Sequence, residues 1–232
     1  MNRSTREMSF AAAVGCATLA GLHLLDSALD LGLGRLMAFR TDEFDSVLSS
    51  GGPDGLRGWW SVATLWMSSC AHGGFEHLAV NLAFLWFFGA LLSQLVGDRW
   101  VVLALLITPL TANLAFWWLH AGPPTMVIGA SGAVSGVSGL YVLLAFRWDG
   151  PSVYAWPLAR PVPPAQAALL AVLAVALDIY VMRRGGGGGV ARAAHLGGFA
   201  GGILIGAFLT TFLPSYDHYR NSRWAPGGLR GA

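Results

Sequence analysis

Lysine is absent from this chain: all fourteen basic residues are arginine, set against twelve acidic residues. Charge of either sign is scarce too, at 11% of residues against roughly 25% in ordinary soluble domains, which argues against a surface built to face water. The arginines are spread over termini and loops and form no basic stripe, which excludes a nucleic-acid partner. Cysteine is limited to Cys16 and Cys70, both in or beside apolar stretches and without CxxC or metal-type spacing, so they read as packing residues and not as a disulfide. No set of ligands with zinc-type spacing occurs, and no metal or other cofactor is implied. What the chain has instead is 55% hydrophobic residues and 31 glycines, the mixture expected where close backbone packing joins helices in lipid.

A membrane span needs about 20 mainly apolar residues to cross about 30 Å of hydrocarbon. Six such segments can be read, at about residues 10–31, 78–96, 100–119, 131–146, 165–182 and 194–213. The chain is therefore expected to be an all-α membrane protein, with residues 1–232 forming a single membrane domain and the N-terminal segment retained as an anchor helix. Asp26 and Asp30 end the first segment and are expected at the outer interface, since a carboxylate at the bilayer midplane is costly. Residues 32–71 are too long for a turn and carry Trp59 and Trp60, so an interfacial subdomain is expected there. The run Gly185 to Gly189, between the last two spans, is expected to be mobile. Eight arginines on one side of the expected spans against six on the other favour both termini in the cytoplasm. A lysine-free, Ala-, Gly- and Arg-rich composition suggests a bacterial plasma membrane.

Polar residues cluster at three span beginnings: His77 and Asn81 near the second, Ser131 at the fourth and His195 at the sixth. Even-numbered spans run in the same direction, so these residues share one membrane face. The fourth span is short, about 24 Å of helix at about 1.5 Å per residue, which sets Ser131 below the outer interface if Arg147 and Trp148 mark the inner one. A shared wet cavity is the economical inference. A serine needs a base to become a nucleophile, and His195 is the candidate. His77 and Asn81, four residues apart on one helix face, are candidate donors to an oxyanion, together with the Ser131 amide. Plainer readings exist: Ser131 as a helix N-cap, His77, Asn81 or His195 as interhelical hydrogen-bonding groups, and Ser135 and Ser138 as internally bonded residues. Asp178, in the fifth span, has three open readings: reaching an interface, pairing with a neighbouring helix, or taking part in gating.

The segments HGGFEHLAVN (His72 to Asn81), GASGAVSG (Gly129 to Gly136) and AHLGGFAGG (Ala194 to Gly202) resemble, in order and spacing, the three signatures of rhomboid intramembrane proteases. The resemblance runs from about Met67 to Leu213. It implies a six-transmembrane-helix rhomboid-like bundle with a short central fourth helix, close packing of the fourth and sixth helices, and a cavity open to the extracytoplasmic side. Gly132, Gly136 and Gly139 on one helix and Gly198 and Gly202 on the other supply the small residues for that packing. It further implies a catalytic dyad of Ser131 and His195, with His77 and Asn81 lining the oxyanion hole. Two positions depart from the family pattern: Ser135 stands where many bacterial members have a tyrosine stacked on the histidine, and the first loop lacks their Trp-Arg pair. The implied activity is hydrolysis of peptide bonds in or near the transmembrane segments of other membrane proteins, with those proteins and the lipid bilayer as partners. A non-proteolytic relative that binds transmembrane clients is the alternative, although such proteins usually have a broken dyad. Nothing in the sequence specifies an oligomeric state.

Overall fold

The computed structural model describes residues 9–120, 122–158, 160–184 and 191–222. These form ten helices, numbered here in chain order. Five are long and apolar enough to cross a membrane: α1 (Phe10–Leu29), α5 (Phe75–Val96), α6 (Asp98–Leu119), α8 (Pro164–Arg183) and α9 (Arg192–Phe212). A sixth, α7 (Ser131–Arg147), is apolar but only 17 residues long, about 25 Å at the α-helical rise. Most of its residues are buried, and α5, α6, α8 and α9 all pack on it. The chain is thus an all-α membrane bundle built around a short central helix, as the sequence implies. Gly185 to Gly189 lie outside the described residues.

Glycine fixes how close α7 and α9 come. A methyl group added at Gly198 would lie 1.9 Å from the Gly132 carbonyl oxygen, one at Gly202 1.9 Å from that of Gly136, and one at Gly139 2.2 Å from that of Phe199. The positions of Gly132 and Gly136 refine the sequence reading. Their missing side chains point at α6, where an added methyl would meet Ala112 and Thr108, while their backbones receive α9. Gly197 and Gly201, which the sequence reading did not select, bring α9 onto Ala115 and Thr111 of α6 in the same way. α7 and α9 therefore meet backbone to backbone, and α6 sets the side chains of Thr108 and Ala112 directly on the α7 backbone.

The opposite end of the bundle is tied by Asp98, the first residue of α6, where a carboxylate suits the positive end of the helix dipole. It accepts from the Ser9 hydroxyl at 2.7 Å, the Ser93 hydroxyl at 2.6 Å and the Phe10 amide at 3.2 Å, joining the starts of α1 and α6 to the end of α5. Ser9 in turn caps α1 by accepting from the Ala12 amide. Trp148, just past the end of α7, is buried beneath α10 (Tyr216–Asn221), its indole donating to the Leu213 carbonyl at 3.0 Å and its ring against Tyr219.

The connection after α1 has structure of its own. Asp30 ends α1 in a left-handed conformation, and the Asp26 carboxylate accepts from the Leu33 amide at 2.9 Å, which fastens the turn. There follow α2 (Leu33–Leu36), strand β1 (Phe39–Arg40), α3 (Thr41–Ser49), α4 (Gly55–Met67) and a 3-10 turn at Ser68–Cys70. β1 pairs antiparallel with β2 (Met126–Val127), Phe39 opposite Val127. Indole and amide donors fasten this unit to α6: Trp66 to the Leu106 carbonyl at 2.8 Å, Trp117 to Asp45 at 2.8 Å, and Asn113 to the Leu65 carbonyl at 2.7 Å. Leu56 and Trp59 stay exposed along α4, as suits a helix lying at a membrane interface.

Candidate functional site

The loop entering α7 determines where Ser131 stands. The Gly129 amide donates to the Ser68 carbonyl at 2.8 Å, and Ser68 is itself held by the buried Asn113 amide through its hydroxyl at 2.9 Å. Gly129 has φ +120°, and an added Cβ would lie 2.5 Å from Cε1 of His77, so the position needs glycine both for its backbone and for the imidazole packed on it. The Ala130 amide donates to Nε2 of His72 at 3.3 Å. That bond needs a neutral ring, because an imidazolium has no acceptor. Burial, with His77 and His23 nearby, lowers the His72 pKa to about 4 and so keeps the acceptor available at neutral pH. Ser131 follows as the first residue of α7, where first-turn amides have no intrahelical acceptor.

The Ser131 hydroxyl lies 2.8 Å from Nε2 of His195. His195 sits in the first turn of α9, and the glycine contacts between α7 and α9 bring the two starts together. The other ring nitrogen, Nδ1, is 2.7 Å from Oδ2 of Asp178, and Oδ1 of Asp178 is 3.6 Å from Nε of Arg192. Ser131, His195, Asp178 and Asn81 line one cavity of ≈ 230 Å³, closed by Phe84 and Phe88 of α5 and by Ala171, Ala174 and Val175 of α8. Asn81 is buried, and its side-chain amide nitrogen has no partner among the described residues, an uncommon and costly state for a buried donor.

Of the residues selected from sequence, Ser131, His195 and Asn81 come together on this cavity, whereas His77 does not line it. His77 is the third residue of α5, because Gly74 and the acidic Glu76 start that helix earlier than the apolar run suggests. Its ring packs on Gly129 and edge-on against His72, with centroids 5.2 Å apart. Ser138 donates to the Ser135 carbonyl at 2.7 Å, an internal bond. Cys16 and Cys70 are free thiols. The residue that sequence reasoning left unplaced is Asp178. A signal was present: a carboxylate within an apolar span marks a functional site by default, and the end of α8 must lie level with the start of α9.

A polytopic membrane protein with a half-buried hydroxyl–imidazole pair at the start of a short central helix is the class that fold and site define. Comparison with known proteins agrees: the family model described as Rhomboid domain matches residues 57–212. The chain belongs to the rhomboid family. Three similar proteins, all from Arabidopsis thaliana, are Rhomboid-like protein 11, chloroplastic (35% identical over 39% of this chain and 31% of that protein), RHOMBOID-like protein 4 (30% over 75% and 39%) and RHOMBOID-like protein 1 (29% over 73% and 39%). The chain thus spans well under half the length of these relatives. They are plant proteins and lend no support to a bacterial membrane. With the apolar helices, family membership describes an integral multi-pass membrane protein.

Proposed function

We propose that this protein is an intramembrane serine endopeptidase that cleaves other membrane proteins in or near their transmembrane segments, with a dyad of Ser131 and His195. The observation that carries the reading is the 2.8 Å contact from the Ser131 hydroxyl to Nε2 of His195. In acyl transfer His195 takes the hydroxyl proton as Oγ attacks the scissile carbonyl carbon. The oxygen of that carbonyl becomes an oxyanion, which the unpartnered Asn81 amide and the Ser131 amide stabilise at the positive end of α7, while His77, packed on Gly129, supports the loop that sets Ser131. Collapse of the tetrahedral species breaks the C–N bond, and His195 delivers its proton to the leaving amine. Water then attacks the acyl-enzyme with the same assistance and restores Ser131.

A substrate helix must unwind locally before its carbonyls can be reached, since internal hydrogen bonds satisfy them. Small or helix-breaking residues near the scissile bond are therefore favoured. The cavity lies between α5 and α8, and α8 has buried residues only in its first half, which makes α8 the moving element that admits substrate from the bilayer. In this reading both termini face the cytoplasm, and the cavity opens to the other side.

The test is co-expression with a tagged single-span protein and labelling with a serine-reactive fluorophosphonate in detergent. Ser131→Ala and His195→Ala should each abolish labelling and reduce cleavage by about 10³-fold or more. Equal fragment yields from wild type and Ser131→Ala would sink the reading and leave a client-binding role.

A further inference from the structure

The fifth span carries a carboxylate that the dyad reading does not use. Asp178 lies in α8 among Leu177, Ile179 and Val181, a setting in which a charge is costly without a task. Its two oxygens are divided: Oδ2 meets Nδ1 of His195 at 2.7 Å, and Oδ1 meets Nε of Arg192 at 3.6 Å. The three side chains are 19%, 18% and 16% exposed, so water reaches them little. α8 buries Ala167, Ala168 and Ala171 against the bundle and no residue after them. The Asp178 contacts are thus polar ties between its loosely packed second half and α9.

We infer that Asp178, itself held by Arg192, is the positioning residue for His195, so that the base is set for proton acceptance only while α8 lies closed against α9. The inference rests on the proposed protease activity, and its chemistry is specific. A carboxylate only accepts, so the proton of the neutral ring must sit on Nδ1, leaving the Nε2 lone pair directed at the Ser131 hydroxyl. When the Ser131 hydroxyl proton moves to Nε2 and Oγ bonds the carbonyl carbon, Nδ1 keeps its own proton and the ring becomes an imidazolium carrying both. Asp178 stays a carboxylate throughout, stabilising the new charge and taking no proton. Ser135, one helical turn after Ser131, is too short to stack on the imidazole, so the ring is fixed from the α8 side. Because α8 also walls the substrate cavity, its displacement to admit a substrate helix separates Asp178 from Nδ1, and its return restores the tautomer around bound substrate.

The test compares full-length wild type with Asp178→Asn, Asp178→Glu and Arg192→Gln in detergent, reading His195 by nitrogen NMR, thermal stability, fluorophosphonate labelling and cleavage. Wild type should show the Nδ1–H tautomer. Asp178→Asn should populate Nε2–H and lose about 10²-fold or more in kcat and in labelling rate, with KM changed less than about threefold. Asp178→Glu should recover at least about a tenth of the rate, and Arg192→Gln should fall between wild type and Asp178→Asn. An Nε2–H tautomer in the wild type, or an Asp178→Asn variant that keeps both tautomer and rate, would overturn the inference. Loss of stability in Asp178→Asn together with an unchanged tautomer would overturn it as well, by reducing the contact to a packing role. The spectrum does not depend on turnover. A wild type with the expected tautomer but no Ser131-dependent labelling would therefore break the protease reading and leave the Asp178–His195 geometry standing.

Discussion

The two helices that flank the central one are built on opposite terms. α9 meets α7 and α6 through glycines on both faces, so that 56% of its apolar stretch is buried inside the protein, while α8 buries only 17% and turns a row of leucines outward. In lipid an outward leucine gains nothing by moving inward, because the surroundings are as apolar as the core. Association then depends on how closely backbones approach and on the few polar contacts. α9 has many close approaches, and α8 has the alanines of its first half and the Asp178 contacts. A base that must stay within 2.8 Å of its nucleophile belongs on the first kind of helix; an element that must move aside for substrate belongs on the second.

The comparison breaks most severely at Gly202. An added methyl would lie 1.9 Å from the Gly136 carbonyl oxygen and 2.7 Å from the Leu140 nitrogen, backbone atoms that yield only if the helices separate. Gly202→Val should cost about 4 kcal/mol or more, read as loss of the thermal transition in detergent together with fluorophosphonate labelling. Gly21 of α1 is the control: nothing lies within 4 Å of its Cβ position, so Gly21→Ala should be neutral or gain up to about 1 kcal/mol from helix propensity. Equal effects at the two sites would mean that glycine does not set the α7–α9 spacing.

Asn81 sharpens the contrast between fold and site. Its amide nitrogen is buried without a partner, a condition that costs about 1–3 kcal/mol. Asn81→Ala should therefore keep or slightly raise the thermal midpoint while slowing cleavage by about 10- to 100-fold, less than a lone oxyanion donor would cost because the Ser131 amide remains. A fall in stability that matches the fall in rate would make Asn81 a structural residue.

His72 offers a pH test of the rigid side. Its folded pKa of about 4 lies below the unfolded value of 6.5, so the unfolded chain binds the proton first as pH falls. The stabilisation is complete above about pH 6.5, declines between there and about pH 4, and is then lost. About 1–3 kcal/mol is at stake. His72→Gln should flatten this part of the stability profile relative to wild type, and parallel profiles would remove His72 as the clamp on Ala130.

Much of this architecture was legible because membrane helices announce themselves by length and apolarity, and because glycine at intervals of three and four residues on α7 and α9 has few other uses in lipid. Ser131 and His195 were legible as the openings of even-numbered spans, which topology sets at one level. Three features were not. The faces of Gly132 and Gly136 depend on helix rotation, which periodicity does not fix when most of a helix is buried, as α7 is. The burial of Trp148 depends on α10 folding back over it, a long-range contact with no local signal. The Asp178–His195 bond joins neighbouring spans end to start; topology sets the two at one level, but which side of α8 faces α9 had to come from the structure.

The smallest expected effect falls on α8 itself. Leu173 is 58% exposed and faces lipid on a helix whose second half buries no apolar side chain in the bundle. Leu173→Ala exchanges lipid contact for lipid contact, creates no internal cavity and preserves helix propensity, so thermal stability should stay within about 0.5 kcal/mol of wild type. The same truncation at Leu140 of α7, which is fully buried, should cost about 2–5 kcal/mol. The pair separates two accounts of why α8 is loosely packed. If Leu173→Ala destabilises as much as Leu140→Ala, then in the membrane α8 is covered by something other than lipid, and its freedom to move aside for a substrate helix would have to be given up along with the coupling of that motion to His195.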